Sequence, residues 1–259
     1  CLLCLFIFGI ALTACQTPEM SNDKLVIGME CGYQPFNWTT NTESEYTLPI
    51  SGSNKYVDGF DIQIAKYLGE SLGREVVIKK IEWDGLIPAL QAGQIDAIIA
   101  GMSDTEERRA NVDFTAAYYR STHVLVMDKN SKFVNGTTLN DFEGANVVGQ
   151  IETLYDSLID QLTGVNHLTP LADVPTIITS IKSKRADITI LEEPVAKGVI
   201  ETNPDLTYIK LTAGFNVSEE DVCVAIAVKK GSSDLQSKIN EVLGNISETE
   251  RNELMNQAI

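Results

Sequence analysis

Apolar residues in this chain come in two alternating kinds of run, short continuous ones and longer ones that recur every three or four positions. Lys24 to Met29 (KLVIGM) reads as a strand, and Glu75 to Ile81 as another. Between them, Gly59 to Leu72 has the period of an amphipathic helix, with Gly73 placed to stop it. Leu86, Ile87 and Leu90 mark a further helix that leads into a buried strand over Ile95 to Ala100. The alternation resumes with Leu125 to Lys129 and a strand at Asn146 to Gly149. Helices over Leu154 to Leu162 and Val174 to Lys182 follow, then a strand at Asp187 to Leu191. Val222 to Val228 is the last strand, and helices close the chain from Ser233 to Ile259. Strands alternating with helices imply an α/β fold built on open, mostly parallel sheets flanked by helices. Two segments break the rhythm. Glu30 to Phe36 is a turn-rich loop with two aromatics, and residues 39–55 are polar and read as an exposed insertion.

The pattern also repeats. Ile87, Leu90 and Asp96 stand in the same relative positions as Ile178, Ile181 and Asp187, each set a helix feeding a strand. In that register Gly101 corresponds to Glu192. Two lobes of open α/β sheet would bind ligand beyond the carboxyl ends of their strands. The repeat would then aim Arg108, borne just past Gly101, and Glu192 at one cleft from opposite sides.

The stretch WDGLIPALQAGQIDAIIAGMSDTEERR, from Trp83 to Arg109, places Arg108 just past a strand tip of small residues, Gly101, Met102 and Ser103. Thr105 is positioned to cap a short helix whose first turn holds Glu106 and Glu107. Free backbone N–H groups and a guanidinium would converge there, a cradle for a carboxylate. Spacing alone leaves open the plainer reading, a helix-capping turn with a surface arginine.

Composition narrows the classes. At 44% hydrophobic and 22% charged, the 259 residues are an ordinary globular mixture. The net charge of −16 leaves no basic stripe for nucleic acid and disfavours an anionic lipid surface. Residues 1–14 are uncharged and apolar, too short a run to span a bilayer comfortably, and read as the core of a secretion signal. No Met or basic leader precedes them, so we expect the sequence to begin inside a longer precursor. Leu12, Thr13, Ala14 and Cys15 resemble the lipobox of bacterial lipoproteins, in which the cysteine is lipidated. Residues 15–23 then form a polar tether. Of the remaining cysteines, Cys31 and Cys223 fall in the folded part. Their separation is not readable from sequence, two thiols make no zinc pattern, and we expect them unpaired and partly buried.

Two pieces taken together, VDGFDIQIAKYLGESLG at Val57 to Gly73 and the stretch around Arg108, resemble the bacterial extracellular solute-binding proteins of the polar amino-acid type, the receptors of ABC importers. The resemblance covers nearly the whole chain from Lys24 onward. It implies a two-lobe periplasmic-binding-protein-like fold of type II, with residues 24–121 plus 219–259 in one lobe and 122–218 in the other. The lobes would be joined by hinge strands near Ser121 to Leu125 and Asn216 to Cys223. It also implies roles. Arg108 would grip an amino acid's α-carboxylate, helped by Ser103, Gly101 and, from the second lobe, Thr153. Glu192 would take the α-ammonium group, Tyr33 and Trp83 would wall the side-chain pocket, and Glu30 would line it. Partners would be a free amino acid and the permease and ATPase subunits of an importer, with membrane attachment through the lipid, a monomeric receptor, and neither cofactor nor metal.

One departure from the resemblance stands out. Where many relatives have Gln-x-Gly-Thr or Ser, this chain has Gln150-Ile151-Glu152-Thr153. Glu152 would add a carboxylate near the cleft rim, and with Glu30 it points to a ligand with a cationic or polar side chain, such as arginine, lysine or histidine. Two other function classes make different demands on the sequence. An enzyme on the same fold would need more than His123 and His167, the only histidines, and no Ser–His–Asp order or metal-ligand cluster stands out. A sensor module would need a separate signalling partner.

Overall fold

The computed structural model describes residues 23–259; the signal, Cys15 and the tether up to Asn22 lie outside the described residues. Two five-stranded sheets dominate. The first runs Glu75–Lys80, Lys24–Met29, Ala97–Ile98, Cys223–Lys229, Val112–Arg120. The second runs Asn166–His167, Asn146–Val147, Ile188–Glu192, His123–Asp128, Leu206–Ile209. The two orders are the same pattern, and so are the directions. In each, the first two pairings are parallel and the last two antiparallel. The sheets are therefore mixed, less parallel than the alternation predicts. The antiparallel half comes from strands that enter after a reversal of the chain: Cys223–Lys229 in the first sheet and His123–Asp128 in the second.

The repeat read in the sequence is a repeat of hydrogen bonds. Asp96 Oδ2 accepts the Val26 N–H at 2.8 Å while the Asp96 N–H donates to the Val26 carbonyl at 2.8 Å. Asp187 makes the same pair of bonds with Asn146, both at 2.8 Å. Each aspartate thus ties the helix-to-strand turn of its repeat to the strand beside it. Ile27 pairs with Ala97 in one sheet as Val147 pairs with Ile188 in the other.

Residues 39–55 are not a free insertion. Asn37–Thr40, Leu48–Pro49 and Tyr56–Asp58 join Gly32–Tyr33 in a small four-stranded sheet, and Ser51 donates to the Ile78 carbonyl at the edge of the first large sheet. Its polar residues fall mostly in the exposed turns, residues 41–46 and 51–55. The helix Phe60–Leu72 begins at Gly59, where a Cβ would come 2.3 Å from the Phe36 carbonyl oxygen. That close approach lets the N–H groups of Phe60 and Asp61 donate to the carbonyls of Pro35 and Phe36. The orphan donors of the helix N-terminus thereby pin the loop that carries Tyr33.

Several boundaries move from those predicted. The strand expected over Ile95 to Ala100 pairs only at Ala97–Ile98, and the helix expected to Leu162 ends at Leu158 with a 3-10 turn at Ile159–Gln161. The final helices, Ser233–Gly244 and Glu248–Ala258, lie against the first sheet. Asn240 accepts from the Ala116 N–H at 2.7 Å, and Arg251 donates to the Ala117 carbonyl at 2.9 Å. The chain passes between the sheets at two adjacent places. Ser121, after Val112–Arg120, donates to the carbonyl of Val222, just before Cys223. Cys31 and Cys223 are both buried free thiols. Among the described residues, no helix is long and apolar enough to cross a membrane.

Candidate functional site

The strands of both sheets deliver their carboxyl ends to one gap. Glu30 follows Lys24–Met29, Gly101 and Ser103 follow Ala97–Ile98, and Gln150 follows Asn146–Val147. Glu192 ends the strand Ile188–Glu192 and is only 1% exposed. Between the two units lies a cavity of about 10 Å³, roughly the room a single water needs. Glu30, Tyr33 and Trp83 line it with Gly101, Ser103, Arg108 and Thr153, all seven predicted from sequence. Glu192 stands directly behind, its carboxylate accepting the Tyr33 hydroxyl.

Arg108 sits in the short helix Glu106–Arg109, capped by Thr105 as the sequence suggests. Its guanidinium bends back over the small-residue turn, donating to the Ser103 carbonyl at 2.8 Å and to the Glu152 carbonyl at 3.0 Å. Among the described residues, no carboxylate pairs with it. Burial pulls its pKa down from the usual arginine value, opposed by nearby Tyr155 and acidic groups. Some of the backbone N–H groups of this turn are engaged elsewhere, while that of Ser103 makes no bond within the fold. The Gly101 N–H donates to the Tyr118 hydroxyl, Asp104 to the Cys223 carbonyl and Thr105 to the Ser103 carbonyl. The returning strand Cys223–Lys229 engages this turn through Met102 and Asp104, and the guanidinium stays beside the Ser103 N–H as a donor for an anion.

Gly101 is glycine for two reasons: its φ is +60°, and a Cβ would stand 3.0 Å from the Tyr33 ring. Tyr33 stacks on Phe36 with centroids 5.6 Å apart. Ser103 Oγ lies 3.5 Å from the Tyr155 hydroxyl. Thr153 is the N-cap of Leu154–Leu158, its hydroxyl donating to the Gln150 carbonyl at 2.7 Å and accepting from the Asp156 N–H.

The two acids are the electrostatic centre. Glu30 and Glu192 are 6% and 1% exposed, and the Oε1 of each has no hydrogen-bond partner. Burial pushes Glu30 up to about 7, against the hydrogen bond from Gln150. Burial likewise pushes Glu192 up to about 8, and the charge of Glu30 adds to the shift. Glu152 stands beside the cleft, next to Arg108 and Thr153. Its side chain is exposed, its φ is +57°, and it is the carbonyl that touches Arg108 and the Trp83 indole N–H. The positive φ explains why glycine suits this place in relatives of the motif.

Gln150 and Tyr155 also line the cavity and were not picked out from sequence. Tyr155 falls on a helix where an aromatic is indistinguishable from core, and Gln150 gave only a motif letter. His123 packs 5.6 Å from the Tyr155 ring and 6.4 Å from Phe215, and burial lowers its pKa to about 4. His167 lies apart, at the edge of the second sheet, between Asp156 and Asp160. Among the described residues, no group of three or more His, Cys, Asp or Glu is arranged to hold a metal ion.

Comparison with known proteins adds to this geometry. A family model described as bacterial extracellular solute-binding proteins, family 3, matches residues 25–258. The arginine-binding extracellular protein ArtP of Bacillus subtilis is 30% identical over 245 residues, spanning 90% of this chain and 86% of its own. The L-arginine-binding protein of Pseudomonas aeruginosa is 30% identical over 253 residues, 91% of this chain and 87% of its own. Among solved structures, the amino acid ABC transporter substrate-binding protein AbpA of Streptococcus pneumoniae, bound to L-arginine, aligns with a TM-score of 0.78 at 29% identity. That alignment covers 92% of this chain and 95% of the other.

Proposed function

Because the chain belongs to the bacterial extracellular solute-binding proteins, family 3, we propose that its cleft binds a free amino acid with a cationic side chain and presents it to an ABC importer. One observation carries the choice of ligand. Glu30 lines the cleft that also holds Arg108, Glu192 stands behind Tyr33, and each of these two buried carboxylates keeps an Oε1 with no hydrogen-bond partner. A zwitterion needs one cation and one anion from its receptor, and here a second anion is present. In the proposed pose Arg108 takes the α-carboxylate, with Ser103, Gly101 and Thr153 around it, and Glu192 takes the α-ammonium. Tyr33 and Trp83 wall the side chain, and Glu30 meets its far, positively charged end. A neutral side chain would leave Glu30 either buried as an unpaired charge or protonated, both at a cost in affinity.

The same reading assigns residues 24–121 plus 219–259 to one lobe and 122–218 to the other, hinged where Ser121 meets Val222. Arg108 and Glu192 then belong to different lobes, so a ligand that pairs with both favours closure over opening. Export, a lipid on Cys15, action as a monomer and the absence of turnover complete the proposal.

Isothermal titration with the twenty amino acids tests it. Arginine, lysine or histidine should bind most tightly and be recovered unchanged after long incubation. Tightest binding of an acidic or a branched apolar amino acid overturns the reading.

A further inference from the structure

Glu30 and Gln150 face each other from equivalent places in the two repeats. Glu30 stands four residues after Val26, the residue that Asp96 holds, and Gln150 stands four residues after Asn146, which Asp187 holds. Both side chains are buried, Gln150 being 4% exposed. The Gln150 amide nitrogen makes two contacts. It donates across the gap to Glu30 Oε2 at 3.0 Å and within its own unit to the Ala172 carbonyl at 3.1 Å. Its backbone is fixed as well, by the Thr153 hydroxyl on its carbonyl and by its bridge to Leu171. The amide therefore reaches Glu30 from a rigid mount.

We infer that Gln150 is a positioning residue for recognition of the ligand's side chain: reaching over from the second sheet, it holds the Glu30 carboxylate by one oxygen and leaves the other to a single N–H donor of the ligand. The inference rests on the cationic-ligand reading above. It adds that Glu30 is a complete acceptor only when the two units are together, so sensing of the side chain and closure become one event. Donation by an amide also favours the ionised carboxylate, which Asp173, Glu82 and Glu192 oppose as like charges and Lys80 supports.

The test compares the protein with its Gln150→Leu variant, titrated with L-lysine, L-arginine, L-histidine and L-glutamine from pH 6 to 8.5. The variant should bind the tightest of the three cationic ligands about tenfold more weakly, or worse, at pH 7, with little change for glutamine. The loss should shrink toward pH 8.5, where Glu30 ionises unaided. In a Glu30→Gln background, Gln150→Leu should change nothing further. Equal losses for cationic and neutral ligands, a loss independent of pH, or additive losses in the cycle overturn the inference and leave the ligand reading standing. Failure of the unmodified protein to favour a cationic ligand over glutamine overturns both. Should circular dichroism show Gln150→Leu unfolded, Gln150→Ser, too short to reach Glu30, carries the same comparison.

Discussion

Trp83 and Arg108 are held to one carbonyl. The indole N–H donates to the Glu152 oxygen at 3.2 Å, a guanidinium N–H to the same oxygen at 3.0 Å, and the guanidinium carbon lies 5.1 Å from the ring centroid. Hydrogen bonds fix the plane of the cation and the ring supports its face. Arg108→Lys keeps the charge and loses both the planar fork and the stack, so titration should show affinity falling by about a hundredfold. Trp83→Leu removes the stack on Arg108, the anchoring N–H and one wall of the side-chain pocket while leaving the cation in place, and should cost about three- to thirtyfold. Equal losses for the two variants would mean that Arg108 acts through packing alone.

Binding should release protons. Glu30 and Glu192 titrate near 7 and near 8 because burial disfavours their charges, and a cationic ligand needs both ionised. Affinity for a cationic amino acid should rise from pH 6 to 8. Titration in buffers of different ionisation enthalpy should report protons leaving the protein. Proton uptake on binding would contradict the proposed pairing.

The same groups set a stability profile in the absence of amino acid. For the two acids, folded values raised from 4.5 mean that the fold binds more protons than the unfolded chain, so their contribution is full below pH 4.5 and lost as pH rises through about 7 and 8. His123 runs the other way. Its folded value is lowered from 6.5 to about 4, so its contribution is present above pH 6.5 and lost as pH falls toward 4. Thermal unfolding from pH 4 to 9 should give a maximum between these limbs. Glu192→Gln should flatten the alkaline limb and His123→Gln the acid one.

Glu152 occupies a left-handed backbone conformation at φ +57° with an exposed side chain. Glu152→Gly should raise stability by about 0.5–1 kcal/mol in denaturant unfolding, by relieving Cβ strain. Because Arg108 and Trp83 use the carbonyl, affinity should hardly move. A large loss of affinity would show that the carboxylate itself takes part.

The site was legible where chemistry and spacing coincide. Arg108 follows a turn of small residues, and the Asp96 and Asp187 repeat pointed to Glu192, because a carboxylate that accepts a neighbouring strand's N–H must recur at a fixed distance from the helix that precedes it. Family resemblance supplied Glu30, Tyr33 and Trp83. Gln150 and Tyr155 stayed hidden because their meaning depends on what lies across the gap, which no local pattern encodes. The mixed character of the sheets was equally hidden. Val112–Arg120 alternates imperfectly, with register shifts against Cys223–Lys229, and a strand's direction is set by a connection made much later in the chain. Residues 39–55 lacked an apolar rhythm because their strands are only two to four residues long.

Cys223–Lys229 slots between Ala97–Ile98 and Val112–Arg120, after the chain has built all of the second sheet. A chain emerging from its N-terminus therefore reaches its last quarter with a gap in the middle of its first sheet. Until that strand arrives, two hydrogen-bonding edges stay open and the turn bearing Ser103 lacks the Cys223 carbonyl that fastens Asp104. Connectivity thus leaves the first sheet incomplete until Cys223–Lys229 has been made, so the N-terminal half depends on the end of the chain for its own core.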